Sequence, residues 1–122
     1  MQPSIKKFSL TGEYYFHEGC YITEISNSQD DPNLSIARAR VEPGVHTELH
    51  YLKDTVERYV ILQGEGLVEV GSLLRKSVSI YDVIIIPPNC SQRITNTGSE
   101  DLLFLAICSP KFKNDAYKQL ND

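Results

Sequence analysis

The chain lacks the features that mark a membrane span, a nucleic-acid binder or a disulfide-stapled secreted domain. Its apolar runs, such as Val83 to Pro88, have the length of a strand, whereas a membrane helix needs ~20 apolar residues. The opening segment MQPSIKKFSLTG carries a lysine pair with no apolar stretch behind it, so no secretory leader is expected. Basic residues are in the minority, with 12 Lys and Arg against 16 Asp and Glu and a net charge of -4. A nucleic-acid partner would call for a basic field instead. The three cysteines, Cys20, Cys90 and Cys108, are odd in number, widely spaced and free of any CxxC pairing. They read as small buried hydrophobes in a reducing, cytoplasmic setting. No internal repeat or low-complexity tract is visible.

What is present is a succession of short strands. At 122 residues the chain is expected to form one domain over 1–122 with a single core. Runs rich in Val, Ile, Tyr and Thr fall at Tyr21–Ile25, Ser35–Val41, Arg58–Leu62, Leu67–Val70, Ser77–Tyr81, Val83–Ile86, Gln92–Asn96 and Leu102–Cys108. Between them lie NSQDDPN, EPG, QGEG, GSLLRK, PPN and NTGSED, each with the Gly, Pro, Asn or Asp that turns require. Many short strands without intervening helical patterns predict an all-β sandwich or barrel. Only the tail, residues 111–122, reads as helical, with Asn114 or Asp115 as cap and Ala116, Tyr117 and Leu120 on one face.

The polar residues concentrate in PGVHTELHYLKDTVERYVILQGEG, residues 43 to 66. This stretch resembles the first motif of the cupin superfamily, written G-x5-H-x-H-x3,4-E-x6-G. Counting from Gly44, the pattern meets His50, then Leu52 where the family has a second His, then Glu57 and Gly64. The second motif, G-x5-P-x-G-x2-H-x3-N, is similar to YDVIIIPPNCSQRITN. Pro87 and Asn96 match, Tyr81 and Asn89 stand at the glycines, and Gln92 stands at the His. Asn tolerates the left-handed backbone that a glycine supplies. Tyr81 does not, so a different turn is expected before Asp82. The resemblance, carried by residues 44–64 and 81–96, implies a double-stranded β-helix, the jelly-roll barrel of the RmlC-like cupins, with the short tail helix appended.

Strand alternation puts His50 with Leu52, Glu57 with Tyr59 and Ile61, and Gln92 with Ile94 and Asn96. By the resemblance these faces point into the barrel, and Arg58 and Arg93 point outward. Arg38 and Arg40 alternate with small apolar residues and read as solvent-side. Metal-binding cupins commonly use three His and one Glu for iron, manganese, nickel, copper or zinc. The positions retained here imply a reduced divalent-metal site of His50, Glu57 and Gln92. His46 and His50 would sit ~13 Å apart along an extended strand, which places His46 at the rim or surface; Glu48 lies nearer and on the His50 face.

Three functions remain open from the sequence. One is a metal-dependent protein open to a small oxygen-rich ligand. Another is a metal-free enzyme of the sugar epimerase or isomerase kind, with His50 as base, held by Glu57, and Tyr59 as acid. The last is a non-catalytic binding module. The resemblance also implies pairing as a homodimer, and sheet edges need covering in any case.

Overall fold

Alternation of buried and exposed side chains sorts the chain into two facing sheets. The computed structural model describes residues 1–121, in which every strand pairing is antiparallel. The strands are β1 (Tyr14–Phe16), β2 (Cys20–Ser26), β3 (Ser35–Val41), β4 (His50–Leu52), β5 (Val56–Gln63) and β6 (Gly66–Val70). They continue as β7 (Lys76–Val78), β8 (Val83–Ile86), β9 (Gln92–Asn96), β10 (Leu102–Ser109) and β11 (Tyr117–Gln119). One sheet runs β1-β2-β3-β10-β5-β8 and the other β11-β4-β9-β6-β7. This is the all-β jelly roll that the two motifs implied. Among the described residues no helix is long and apolar enough to cross a membrane.

The core lies between the sheets. Val41, Ile61, Ile94 and Leu102 are fully buried there and Phe104 nearly so, each side chain contributing roughly 1.5–3 kcal/mol of transfer free energy. The inward faces expected of β5 and β9 are the observed ones: Glu57, Tyr59, Ile61, Gln92, Ile94 and Asn96 are all buried. Arg93 turns outward to Glu69 of the neighbouring strand at 2.9 Å. Arg38 and Arg40 also lie on an outer face, where both reach Glu13 and Arg40 packs 4.2 Å over the Tyr21 ring. At the far edge of its sheet, β8 exposes Val83 and Ile85.

The motif positions have backbone reasons. Gly64 sits at φ +87°, and a Cβ there would lie 3.1 Å from the Asp101 carbonyl oxygen. Asn96 is a structural hub. Its amide donates to the Val41 and Glu100 carbonyls at 2.9 and 2.8 Å and accepts from the Gly98 N–H at 2.9 Å. Asn89 adopts φ 63°, as its residue type allows.

Two expectations are corrected. Tyr81 does take the glycine-like conformation, at φ 68°. Backbone bonds flanking it, from Tyr81 N–H to the Ile61 oxygen at 2.7 Å and from Ile61 N–H to the Asp82 oxygen at 3.1 Å, hold the turn in spite of the side chain. The tail is a strand rather than a helix. After a single 3-10 turn over Asn114–Ala116, β11 pairs with β4, setting Tyr117 against Leu52 and Gln119 against His50. Neither Asn114 nor Asp115 caps it; Lys113 holds the N-cap position with no side-chain bond. The open edge of β4 offers the tail a hydrogen-bonding ladder that outweighs one turn's worth of weak helical pattern. Asp122, which the expected tail included, lies outside the described residues.

Replacing Asn96 by Ala should cost ~3 kcal/mol of stability, since three buried backbone groups lose their partner. By contrast, Tyr81→Gly should raise stability by up to ~1 kcal/mol, the left-handed penalty outweighing glycine's extra entropy in the unfolded chain. Urea unfolding midpoints of the two variants against the parent check both.

Candidate active site between the sheets

The site is assembled around the backbone of one residue. Glu48 follows the β3–β4 connection, and its N–H donates to the Glu18 carbonyl at 2.7 Å. Its own carbonyl accepts from His50 Nδ1 at 2.6 Å. A single peptide segment thus holds the turn bearing Glu18 against the strand bearing His50. Gly19, next to Glu18, is confined to φ +107° with the His46 carbonyl oxygen 3.2 Å from where a Cβ would be, so the turn has no room for a larger residue.

That clamp decides the state of the imidazole. A carbonyl oxygen can only accept, so Nδ1 carries the proton toward Glu48. The opposite nitrogen, Nε2, lies 3.1 Å from Glu18 Oε2. Two lone-pair atoms at that separation need a proton or another cation between them. Glu18 Oε2 has no partner of hydrogen-bond geometry, while Oε1 receives the Cys20 thiol at 3.2 Å. His50 itself is 2% exposed.

Facing this pair from the other sheet are Glu57 and Tyr59 on β5. The Tyr59 hydroxyl donates to Gln92 Oε1 at 2.6 Å, tying the two sheets together across the cavity. Gln92 Nε2 is then left without a partner, and so is Glu57 Oε1. Glu57 Oε2 meets the Cys108 thiol at 3.7 Å. Burial, and then the negative charge of Glu18, push the Glu57 carboxyl up to about 8, with the neighbouring Gln92 amide and Cys108 thiol offsetting only part. Glu57 is therefore a neutral carboxylic acid at pH 7. Burial and the charges of Glu57 and Glu18 also hold the Tyr59 phenol well above its ordinary range.

Aromatic rings close one side. Tyr117 stacks on His50 with centroids 4.8 Å apart, and Phe16 meets Tyr117 edge-on at 5.3 Å. The Tyr117 hydroxyl is buried and unpartnered. The cavity bounded by these groups has a volume of about 50 Å³ and is partly open to solvent.

Of the residues expected at the site, His50, Glu57 and Tyr59 line one cavity; Gln92 does not line it but is buried beside it as the cross-strand partner of His50. The expected His50–Glu57 contact is replaced by His50–Glu18. His46 and the Glu48 side chain are exposed and stand apart. The expected metal set meets a geometric obstacle, because Gln92 Oε1 is taken by Tyr59 and His50 Nε2 faces Glu18. Leu52, 3% exposed, places hydrocarbon on the same wall. Among the described residues no group of three or more His, Cys, Asp or Glu is disposed to hold a metal ion. The donors as arranged do not fit a divalent-metal cage. Glu18 and Tyr117 are site residues that strand patterning missed; a charged residue before a turn glycine, in HEGC, was the available signal for the first.

A family model described as Cupin matches residues 17–121, and the chain belongs to that family. An uncharacterised protein of Methanocaldococcus jannaschii is 31% identical over 104 residues, covering 84% of this chain and 82% of that protein. The oxalate decarboxylase OxdC of Bacillus subtilis is 29% identical over 105 residues; the match covers 83% of this chain but 26% of the enzyme. Among solved structures, the nucleoside dehydratase Pac13 of Streptomyces superposes with a TM-score of 0.78 at 18% identity, covering 97% of this chain and 92% of that one.

The raised Glu57 carboxyl makes stability fall with pH. The unfolded carboxyl ionises near its ordinary value of 4.5 and the folded one at about 8, so between these the folded state binds more protons and stability declines as pH rises. Each pKa unit is worth about 1.4 kcal/mol. Glu57→Gln should flatten the decline between pH 5 and 8, leaving the variant more stable than the parent at pH 8. Urea midpoints across this range, parent against variant, test it.

Proposed function

We propose that this cupin is a metal-independent acid/base catalyst acting on a small oxygen-bearing compound held between its sheets. The observation that carries the reading is the His50 Nε2–Glu18 Oε2 pair at 3.1 Å, sharing one cavity with the Glu57 carboxyl, whose Oε1 has no partner. A hydrogen-bonded imidazole–carboxylate pair facing a protonated carboxyl is what proton shuttling requires.

The roles follow from which proton each group can move. With Nδ1 committed to Glu48 and one proton held between Nε2 and Glu18 Oε2, the remaining lone pairs of the Glu18 carboxylate take the substrate's proton, and the pair acts as the base. Glu57 retains its proton below about pH 8 and supplies it to a departing hydroxyl or a developing enolate, as the acid. Tyr59 is the less suitable acid of the two, because its proton is already given to Gln92 and its phenol is held high. Its part is to fix the Gln92 amide beside the Glu57 carboxyl. Proton removal beside a carbonyl, followed by loss or return of a proton elsewhere, covers dehydration, epimerisation and isomerisation. The fold leaves that choice to its lining: the relatives named above are a decarboxylase and a dehydratase.

The reading is tested by incubating the protein in D₂O with a panel of small hydroxy- and keto-compounds and following carbon-bound hydrogen exchange by NMR. His50→Gln should lose at least ~100-fold in exchange rate. The parent rate should fall above about pH 8, and Glu57→Gln should abolish that limb. Exchange insensitive to chelator is expected. Activity lost to a chelator and restored by iron, manganese, nickel or zinc would overturn the reading, as would a compound that binds His50-dependently without any exchange.

A further inference from the structure

The ionisable side chains lining the pocket are nearly all of one sign. Glu18 and Glu57 lie inside it and Glu24 at its exposed rim, where the Tyr14 hydroxyl donates to Glu24 Oε1 at 3.2 Å. No lysine or arginine lines it among the described residues, and His50 is the one lining group able to carry positive charge. A ligand bearing a carboxylate or phosphate would therefore meet Glu18 across a partly dry gap with no basic side chain to receive it.

The unpartnered atoms point the same way. Glu18 Oε2 is an unpartnered acceptor and the Tyr117 hydroxyl beside it can also accept, while Glu57, 7% exposed, presents a carboxylic acid to the same pocket. A complementary ligand thus brings N–H donors to Glu18 and an acceptor oxygen to the Glu57 acid. A protonated amine offers three N–H donors and no acceptor. The rings of Phe16, Phe112 and Tyr117, arranged edge to face at 5.3 and 6.2 Å, suit the polarised carbon next to such a nitrogen.

We propose that the ligand of this pocket is a small protonated amine that also bears a hydroxyl or carbonyl oxygen, its nitrogen on Glu18 and its oxygen on the Glu57 carboxyl. This deepens the acid/base reading by naming the substrate class, and rests on that reading's placement of the ligand in this cavity.

A matched series separates charge from shape: n-butylammonium, 1-butanol and butyrate, each titrated by calorimetry and by thermal shift. The ammonium should bind at least tenfold more tightly than the alcohol, and butyrate should give no shift. Adding a hydroxyl, as in 4-aminobutan-1-ol, should tighten binding further. Glu18→Gln should abolish the preference for the ammonium. Because that turn packs tightly, Glu24→Gln at the exposed rim serves as the second variant, and should weaken the ammonium severalfold without moving the alcohol. Equal behaviour of the three compounds, including no shift with any, would overturn the proposal. Tighter binding of butyrate, or stabilisation by Mn²⁺ or Zn²⁺ with none by the ammonium, would do the same. Turnover is not read here, so a failed exchange assay with intact ammonium preference would sink the catalytic reading alone.

Discussion

A carboxyl sealed between two sheets has to be neutral, paired or liganded, and Glu57 is placed where the protein itself provides no cation. That constraint organises the cavity. The other polar groups are committed to backbone or to each other: Nδ1 of His50 to the Glu48 carbonyl, the Tyr59 hydroxyl to Gln92, Asn96 to three backbone groups. Among the few atoms left over at the end of that accounting, those of Glu18, Glu57 and Tyr117 border one pocket. Buried polar atoms elsewhere in folded proteins find partners, so a cluster of exceptions marks the place where a ligand supplies them.

The two sheets divide the work. The six-stranded sheet brings Glu57, Tyr59 and Cys108 through adjacent strands, with Glu57 and Cys108 directly paired across the ladder. The five-stranded sheet brings His50 and Gln92, again as cross-strand partners. Positions fixed by regular ladders are stiff, whereas Glu18 comes from a turn and needs the clamp through Glu48. Glu57 is thereby fixed on one wall and the clamped His50–Glu18 pair on the other, which keeps these proton-bearing groups at set distances.

Much of this was legible in the residues, and the reason is the period of two. Once β5 and β9 were recognised, alternation alone put Glu57, Tyr59 and Gln92 on the inner face and the arginines outside. Spacing between the two glycine-bounded turns carried the family. What was not legible depended on contacts between segments far apart in the chain. Glu18 reaches His50 because the Glu48 backbone bridges them, and no local pattern in HEGC encodes that. Tyr117 sits in a segment too short for its period to distinguish helix from strand, and the free edge of β4 settled the matter. Tyr81 shows the opposite case, where a local preference was read correctly and the surrounding hydrogen bonds overrode it.

Leu52 carries the last step. At the position where the family motif has a second histidine, a hydrocarbon side chain does two things at once. It offers no lone pair to an ion. It also puts an apolar, water-excluding wall into the pocket that Glu57 lines, and desolvation is the largest cause of the raised Glu57 carboxyl. The same substitution that dismantles a ligand cage therefore helps to create an acid that keeps its proton at neutral pH. Loss of a ligand in this barrel is then better understood as an exchange of one chemistry for another than as decay of a site.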